Sequence, residues 1–184
     1  MRKTLVLCLT ILTAGTVLGQ HAGHEPAADC PMKKEAAASP YSGQETRDIK
    51  ALSDDERRRL LEGHGMGMAL PAELNRYPGP KHVLELAGEL DLRPEQIDAA
   101  ETIFDAMDER ARQLGQRLIE LEADLDERFS LGEIDEDALS KIVLEIGRVR
   151  GDLRLTHLRA HLQMRAAMSE DQIADYDRLR GYRH

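Results

Sequence analysis

Apolar residues recur through the second half of the chain at steps of three and four. Ile97, Ala100, Phe104, Met107, Ala111, Leu114, Leu118, Leu121 and Leu125 follow this spacing without a miss. Such spacing keeps one seam of a helix turned toward a partner. Leu131-Gly132 ends the run and Asp135 stands where it can cap a new helix. Leu139, Ile142, Ile146, Val149 and Leu153 then resume the seam. The simplest partner of the first long helix is the second, folded back antiparallel at Gly132. A helix from Pro94 to Phe129 would be about 50 Å long at about 1.5 Å per residue, so an elongated shape is expected.

Shorter elements flank this pair. Ser53-Asp54-Asp55-Glu56 has the spacing of a reciprocal capping box, and the helix it starts is stopped at Gly63. Gly63-His64-Gly65-Met66-Gly67-Met68 is a helix-breaking loop. After Tyr77-Pro78-Gly79, Pro80 suits a first helical position, and Val83, Leu84, Leu86, Ala87 and Leu90 predict an amphipathic helix from Lys81 to about Leu90. Ser169 begins a last helix with Gln172 at the capping-box position, ending near Arg180-Gly181. The expected fold class is all-α: an elongated antiparallel helical hairpin with shorter flanking helices, in a hooked four-helix arrangement. Residues 81–184 form the hairpin domain, and residues 43–80 supply a short helix plus a Gly/Pro-rich loop.

The N-terminal residues carry an address. Arg2 and Lys3 precede an uncharged apolar run from Leu5 to Leu18, and Val17-Leu18-Gly19 resembles a small-residue cleavage site. The run is too short to span a membrane as a helix, and Cys8 lies within it rather than after it, where a lipoprotein signal needs its cysteine. Residues 1–19 therefore read as a signal peptide cleaved near Gly19/Gln20, giving a periplasmic product with no membrane insertion. Residues 20–42 read as a flexible leader without apolar period.

Cleavage carries the formal net charge from -9 to -11, because no acidic residue precedes Glu25. That argues against nucleic acid as a partner. It also leaves Cys30 as the only thiol, so no intramolecular disulfide is expected, although Cys30 could link two chains. Aromatic residues are 3% of the chain and Trp is absent, which disfavours a sandwich or barrel and suits helices. Charge also suggests a register: Glu95, Asp98, Glu101, Asp105, Asp108 and Glu109 on the first long helix would meet Arg154, Arg159 and Arg165 on the second. Exposed pairs contribute only about 0 to 1 kcal/mol each, so the buried seam should dominate.

One short pattern occurs at two helix starts, Leu92-Arg93-Pro94-Glu95-Gln96 and Met168-Ser169-Glu170-Asp171-Gln172. Over roughly residues 81–182 the chain resembles the Spy/CpxP-like family of periplasmic proteins, marked by paired Leu-Thr-x-x-Gln motifs on an all-helical hooked hairpin. CnrX-type heavy-metal sensors and zinc-associated periplasmic chaperones look like relatives. The motif positions are Leu92, Pro94, Glu95 and Gln96, then Met168, Ser169 and Gln172. Arg93 stands where the family has its capping threonine, so reciprocal capping bonds are not expected there. Met168 replaces a leucine.

Candidate chemistry centres on His157, His161, Met164 and Met168, which recur at steps of four, three and four and share one helix face. Two imidazoles one turn apart can chelate a divalent ion, and thioethers favour softer ones. The resemblance implies a late His-x-x-x-Met pair together with His and Glu from earlier helices; here the late pair is His157-x-x-x-His161. Folding at Gly132 would bring His157 near Met107 and His161 near Ile103 or Phe104, and His82 with Glu85 could complete a site. The alternative is that these histidines pair with acids and the methionines fill the core. His21, His24, Cys30 and Met32 in the leader, and His64, Met66 and Met68 in the loop, are further candidates for soft ions. No cofactor is required by these patterns; the metals they suit are Zn, Ni, Co or Cu.

No nucleophile-base arrangement, phosphate loop or His-Glu-x-x-His occurs, so an enzyme is not expected. The resemblance implies an ATP-independent, chaperone-like stress-response protein that holds unfolded envelope proteins and responds to metal. The alternative is a heavy-metal sensor or resistance protein acting on a signalling partner. A homodimer is expected through a second apolar face, Val143, Leu144, Leu155, Leu158 and Leu162, unless the short helices cover it.

Overall fold

The computed structural model describes residues 38–183; the signal-like segment and the leader candidates His21, His24, Cys30 and Met32 lie outside them. Among the described residues six α-helices follow one another: α1 (Asp54–Leu61), α2 (Leu70–Glu73), α3 (Pro80–Glu85), α4 (Pro94–Leu131), α5 (Glu136–Ala167) and α6 (Glu170–Arg180). The fold is an all-α helical hairpin in which α4 and α5 pack on each other. At about 1.5 Å per residue the two long helices run roughly 57 and 48 Å.

The predicted punctuation forms as read. Ser53 Oγ accepts from Glu56 N while Glu56 Oε2 accepts from Ser53 N at 2.8 Å, closing the capping box of α1. Gly132, in the left-handed region at φ 69°, ends α4, and Asp135 Oδ1 accepts from Ala138 N at 2.8 Å to start α5. The helix expected over Lys81 to Leu90 is shorter, ending at Glu85. Its remaining apolar residues leave the helical path, which turns at Asp91 with φ 46°, yet Leu90 and Leu92 are still buried in the core beside Val83.

The seam contains two apolar clusters. One gathers Ala111, Leu114, Leu118 and Leu121 of α4 with Ile142, Ile146, Val149 and Leu153 of α5, and is covered by Ile49, Leu52 and Leu60. Gly115 admits that cover, because a Cβ there would overlap the Leu60 carbonyl. The other gathers Val83, Leu90, Leu92, Ala100, Met164, Met168, Ile173 and Tyr176. Between them the buried positions of α5 are His157, Ala160 and His161.

The two motif glutamines meet. Gln96 Nε2 donates to Gln172 Oε1 at 2.9 Å and Gln172 Nε2 donates to Gln96 Oε1 at 3.1 Å. Each oxygen also accepts from its own helix start, Arg93 N at 3.2 Å and Ser169 N at 3.0 Å. Each nitrogen also donates to a carbonyl, Gln96 to Ala167 at 2.8 Å and Gln172 to Leu90 at 3.2 Å. Both amides thus use their two donors and two lone pairs fully. The expectation of no capping bonds at Arg93 is corrected by half: the arginine side chain has no acceptor, but the glutamine arm forms.

The expected charge register between α4 and α5 does not form. Arg154 and Arg159 make no ion pair among the described residues, and Arg165 pairs with Glu170 at 2.6 Å. Local pairs win instead, such as Arg112 with Asp108 and Arg148 with Glu145, because neighbours one turn apart meet at little entropic cost. Arg150 does cross the hairpin, reaching buried Glu122 at 2.6 Å.

Candidate functional site

The cleft between the two apolar clusters has a volume of about 540 Å³. Phe104, Met107, Asp108 and Arg112 of α4 form one wall, and His157 and His161 of α5 another. The loop from Glu62 to Gly67, together with Glu73, Gly79, Lys81, His82, Arg180 and Tyr182, closes the rest. The predicted neighbours of the histidines are therefore brought together.

His157 is 4% exposed and its Nε2 makes no hydrogen bond among the described residues. Its Nδ1 edge lies against Gly65, where a Cβ would stand 3.3 Å away. Burial holds its pKa below the usual histidine value, helped by His161, with Asp108 opposing. The ring is thus poised to stay neutral, the form that ligates a metal.

His161 is 9% exposed. Its Nδ1 lies 2.7 Å from the Tyr77 carbonyl, which can only accept, so Nδ1 carries a proton and the neutral form of the ring has its lone pair on Nε2. That Nε2 faces Gly79, where a Cβ would come within 3.2 Å of it. A backbone carbonyl that fixes the tautomer of a histidine is the usual support of an imidazole ligand. Glycines at both rings leave the room a side chain would take.

Glu73 is the residue that sequence reading missed. It is 9% exposed, and its Oε1 accepts from Tyr176 Oη at 2.6 Å and Tyr182 Oη at 2.8 Å. Its Oε2 accepts from Gly79 N at 3.2 Å and lies 3.7 Å from His161 Nδ1. Arg180 Nε stands 3.7 Å from Oε1. Burial and the bond to Glu73 push the Tyr176 phenol well above its ordinary range and raise Tyr182 too. Arg76 reaches Asp177 at 3.1 Å and ties the same region to α6. The signal for Glu73 was an acid on a one-turn helix between Pro71 and Pro78; its partners, 103 and 109 residues away, give no local pattern.

The other candidates separate. His82 Nδ1 bonds Glu85 at 2.8 Å on the exposed side of α3, which lowers the Glu85 pKa; His82 lines the cleft and Glu85 does not. His64 and Met66 line the cleft, whereas Met68 packs on the first apolar cluster. Met164 and Met168 are core residues of the second cluster. Among the described residues, no three His, Cys, Asp or Glu side chains are gathered closely enough to hold an ion in this arrangement.

Helix and cleft together define an all-α hairpin protein with a buried pair of histidines facing a glycine-lined cavity. No family model, curated protein or solved structure matches the chain.

Proposed function

We propose that this chain is a non-enzymatic, metal-responsive binding protein of the cell envelope, whose cleft takes a divalent or soft transition ion on His157 and His161. One observation carries the reading: two buried imidazoles one turn apart, one with its tautomer fixed so that Nε2 is free, face a cavity kept open by Gly65 and Gly79. His64, Met66 and Met107 line the same cavity and offer further donors, with sulfur favouring Cu over harder ions. A periplasmic location for this activity is supported by the signal-like N-terminus and by the resemblance to periplasmic stress and metal-sensor proteins. Ion capture would then alter contact with a signalling partner. Titration calorimetry with Zn, Ni, Co and Cu should give one site lost in His157→Ala/His161→Ala, with protons released on binding as pH falls toward the histidine range. Equal binding by both proteins would remove the cleft as the site.

A second reading, nucleotide-independent holding of unfolded envelope proteins, is favoured by Leu61, Leu70, Leu74, Phe129 and Leu131. These lie 46 to 61% exposed among charges on the cover and at the hairpin tip, a surface suited to many weak apolar contacts. Suppressed aggregation of a model client by the mature protein is the expected result. No effect at several-fold molar excess would sink it.

A further inference from the structure

We propose, on the ion-binding reading of the cleft, that the ion is held there as a complex with a small polycarboxylate chelator, which fills the cavity and turns a carboxylate toward Lys81. The chain's own donors are too few for the ion alone. His157 and His161 supply two imidazole nitrogens, and among the described residues no third His, Cys, Asp or Glu is gathered with them. Divalent transition ions take about four to six donors. The space, in turn, is too ample for a bare ion. A volume of about 540 Å³ falls within the range of about 300 to 1,000 Å³ that organic ligands fill. Gly65 and Gly79 keep side chains from entering beside the two rings, and Leu70, Phe104 and Met107 offer apolar walls to a carbon frame.

Charge gives the missing ligand its sign. A dication between neutral imidazoles in a recessed cleft needs compensating anions, because charge removed from water is costly unless it is paired. Three carboxylates line the cleft, Glu62, Glu73 and Asp108, and each already faces an arginine: Arg58 at 3.2 Å, Arg180 at 3.7 Å and Arg112 at 2.7 Å. Glu73 also accepts from two tyrosine hydroxyls. The compensating charge must therefore enter with the ion. A chelator with two or three carboxylates brings it, and makes the incoming complex neutral or anionic. Lys81 is placed for such a complex: it lines the cleft, is exposed, and has no ion-pair partner among the described residues. The acid one turn further along α3, Glu85, is held by His82 at 2.8 Å. A flexible ammonium of this kind suits a carboxylate whose position is set by the ion rather than by the protein.

Equilibrium dialysis of the full chain with a nickel salt and radiolabelled citrate is the test. Citrate should be retained in step with nickel when both are present, and should not be retained when nickel is left out. His157→Ala/His161→Ala should lose nickel and citrate together. Lys81→Glu, at an exposed position, should keep its helical circular dichroism and hold nickel in citrate-free buffer as the wild type does. Its affinity for the nickel–citrate complex should fall about five- to tenfold. Nickel held by the wild type while citrate merely strips it away overturns the chelate and leaves the ion reading standing. Absence of nickel binding both with and without citrate overturns the two together. Citrate retained without nickel, or Lys81→Glu indistinguishable from the wild type, also overturns the proposal.

Discussion

Replacing Gln96 with alanine removes four hydrogen bonds at a position only 5% exposed. It removes the Ala167 carbonyl's donor and takes one bond from each arm of Gln172, whose oxygen keeps Ser169 N and whose nitrogen keeps the Leu90 carbonyl. At about 0.5 to 1.5 kcal/mol for each net bond, with the larger cost for orphaned buried groups, the loss should be about 2 to 4 kcal/mol. Gln172→Ala breaks the same two inter-amide bonds plus those to Ser169 N and Leu90 O, at a half-buried position, and should cost about 1.5 to 3 kcal/mol. Two of the bonds are common to both changes, so the double variant should lose less than the sum. The expected coupling is about 1 to 2 kcal/mol. Urea unfolding of the four proteins, followed by helical circular dichroism and read from midpoints at a shared slope, measures it. Additivity within about 0.5 kcal/mol would refute the reasoning, because two glutamines capping separate helices without touching would behave that way.

Gly115→Ala should destabilise by about 1 to 3 kcal/mol in thermal melts. Helix propensity alone predicts a gain of about 1 kcal/mol, so the sign reports whether the Leu60 carbonyl lies against α4. Tyr176→Phe should cost about 1 to 2 kcal/mol and raise amide exchange at the start of α6, since Glu73 keeps Tyr182 and Gly79 but loses its shortest bond. The depressed pKa of His157 makes its contribution favourable above the unfolded value of about 6.5 and progressively lost as pH falls from there toward the lower folded value. Relative to His157→Gln, the wild type should therefore lose stability on going from pH 7 to pH 5, and parallel pH profiles would contradict the burial of a neutral ring.

The long helices were legible because nine successive apolar positions kept one spacing and because Gly132 and Asp135 stop and restart the chain by local chemistry alone. The histidine pair was legible for the same reason, since a step of four fixes a shared face. α3 was overextended because Leu86, Ala87 and Leu90 are apolar for burial in the second cluster, which helical and non-helical backbone satisfy equally. The charge register misled because sequence reports which charges exist on a helix, not which flank they occupy once the seam is set. Glu73 offered only an acid between two prolines as a local sign: its value lies in hydroxyls brought from the far end of the chain, and only tertiary structure places them. The reciprocal glutamines stood in plain view as a repeat, but a repeat announces two similar starts without saying that they touch.

The histidines that interrupt the seam also divide it. α4 and α5 each run unbroken past both apolar clusters, so the two halves of the hairpin share backbone while their cores are separate. Helices of this length behave as stiff rods, and their relative angle is set by side chains on either side of an unfilled junction. A change of angle between the helices at that junction moves the hairpin tip most, because the tip lies farthest from it. Phe129 and Leu131, exposed at that tip, are where such a change would be read.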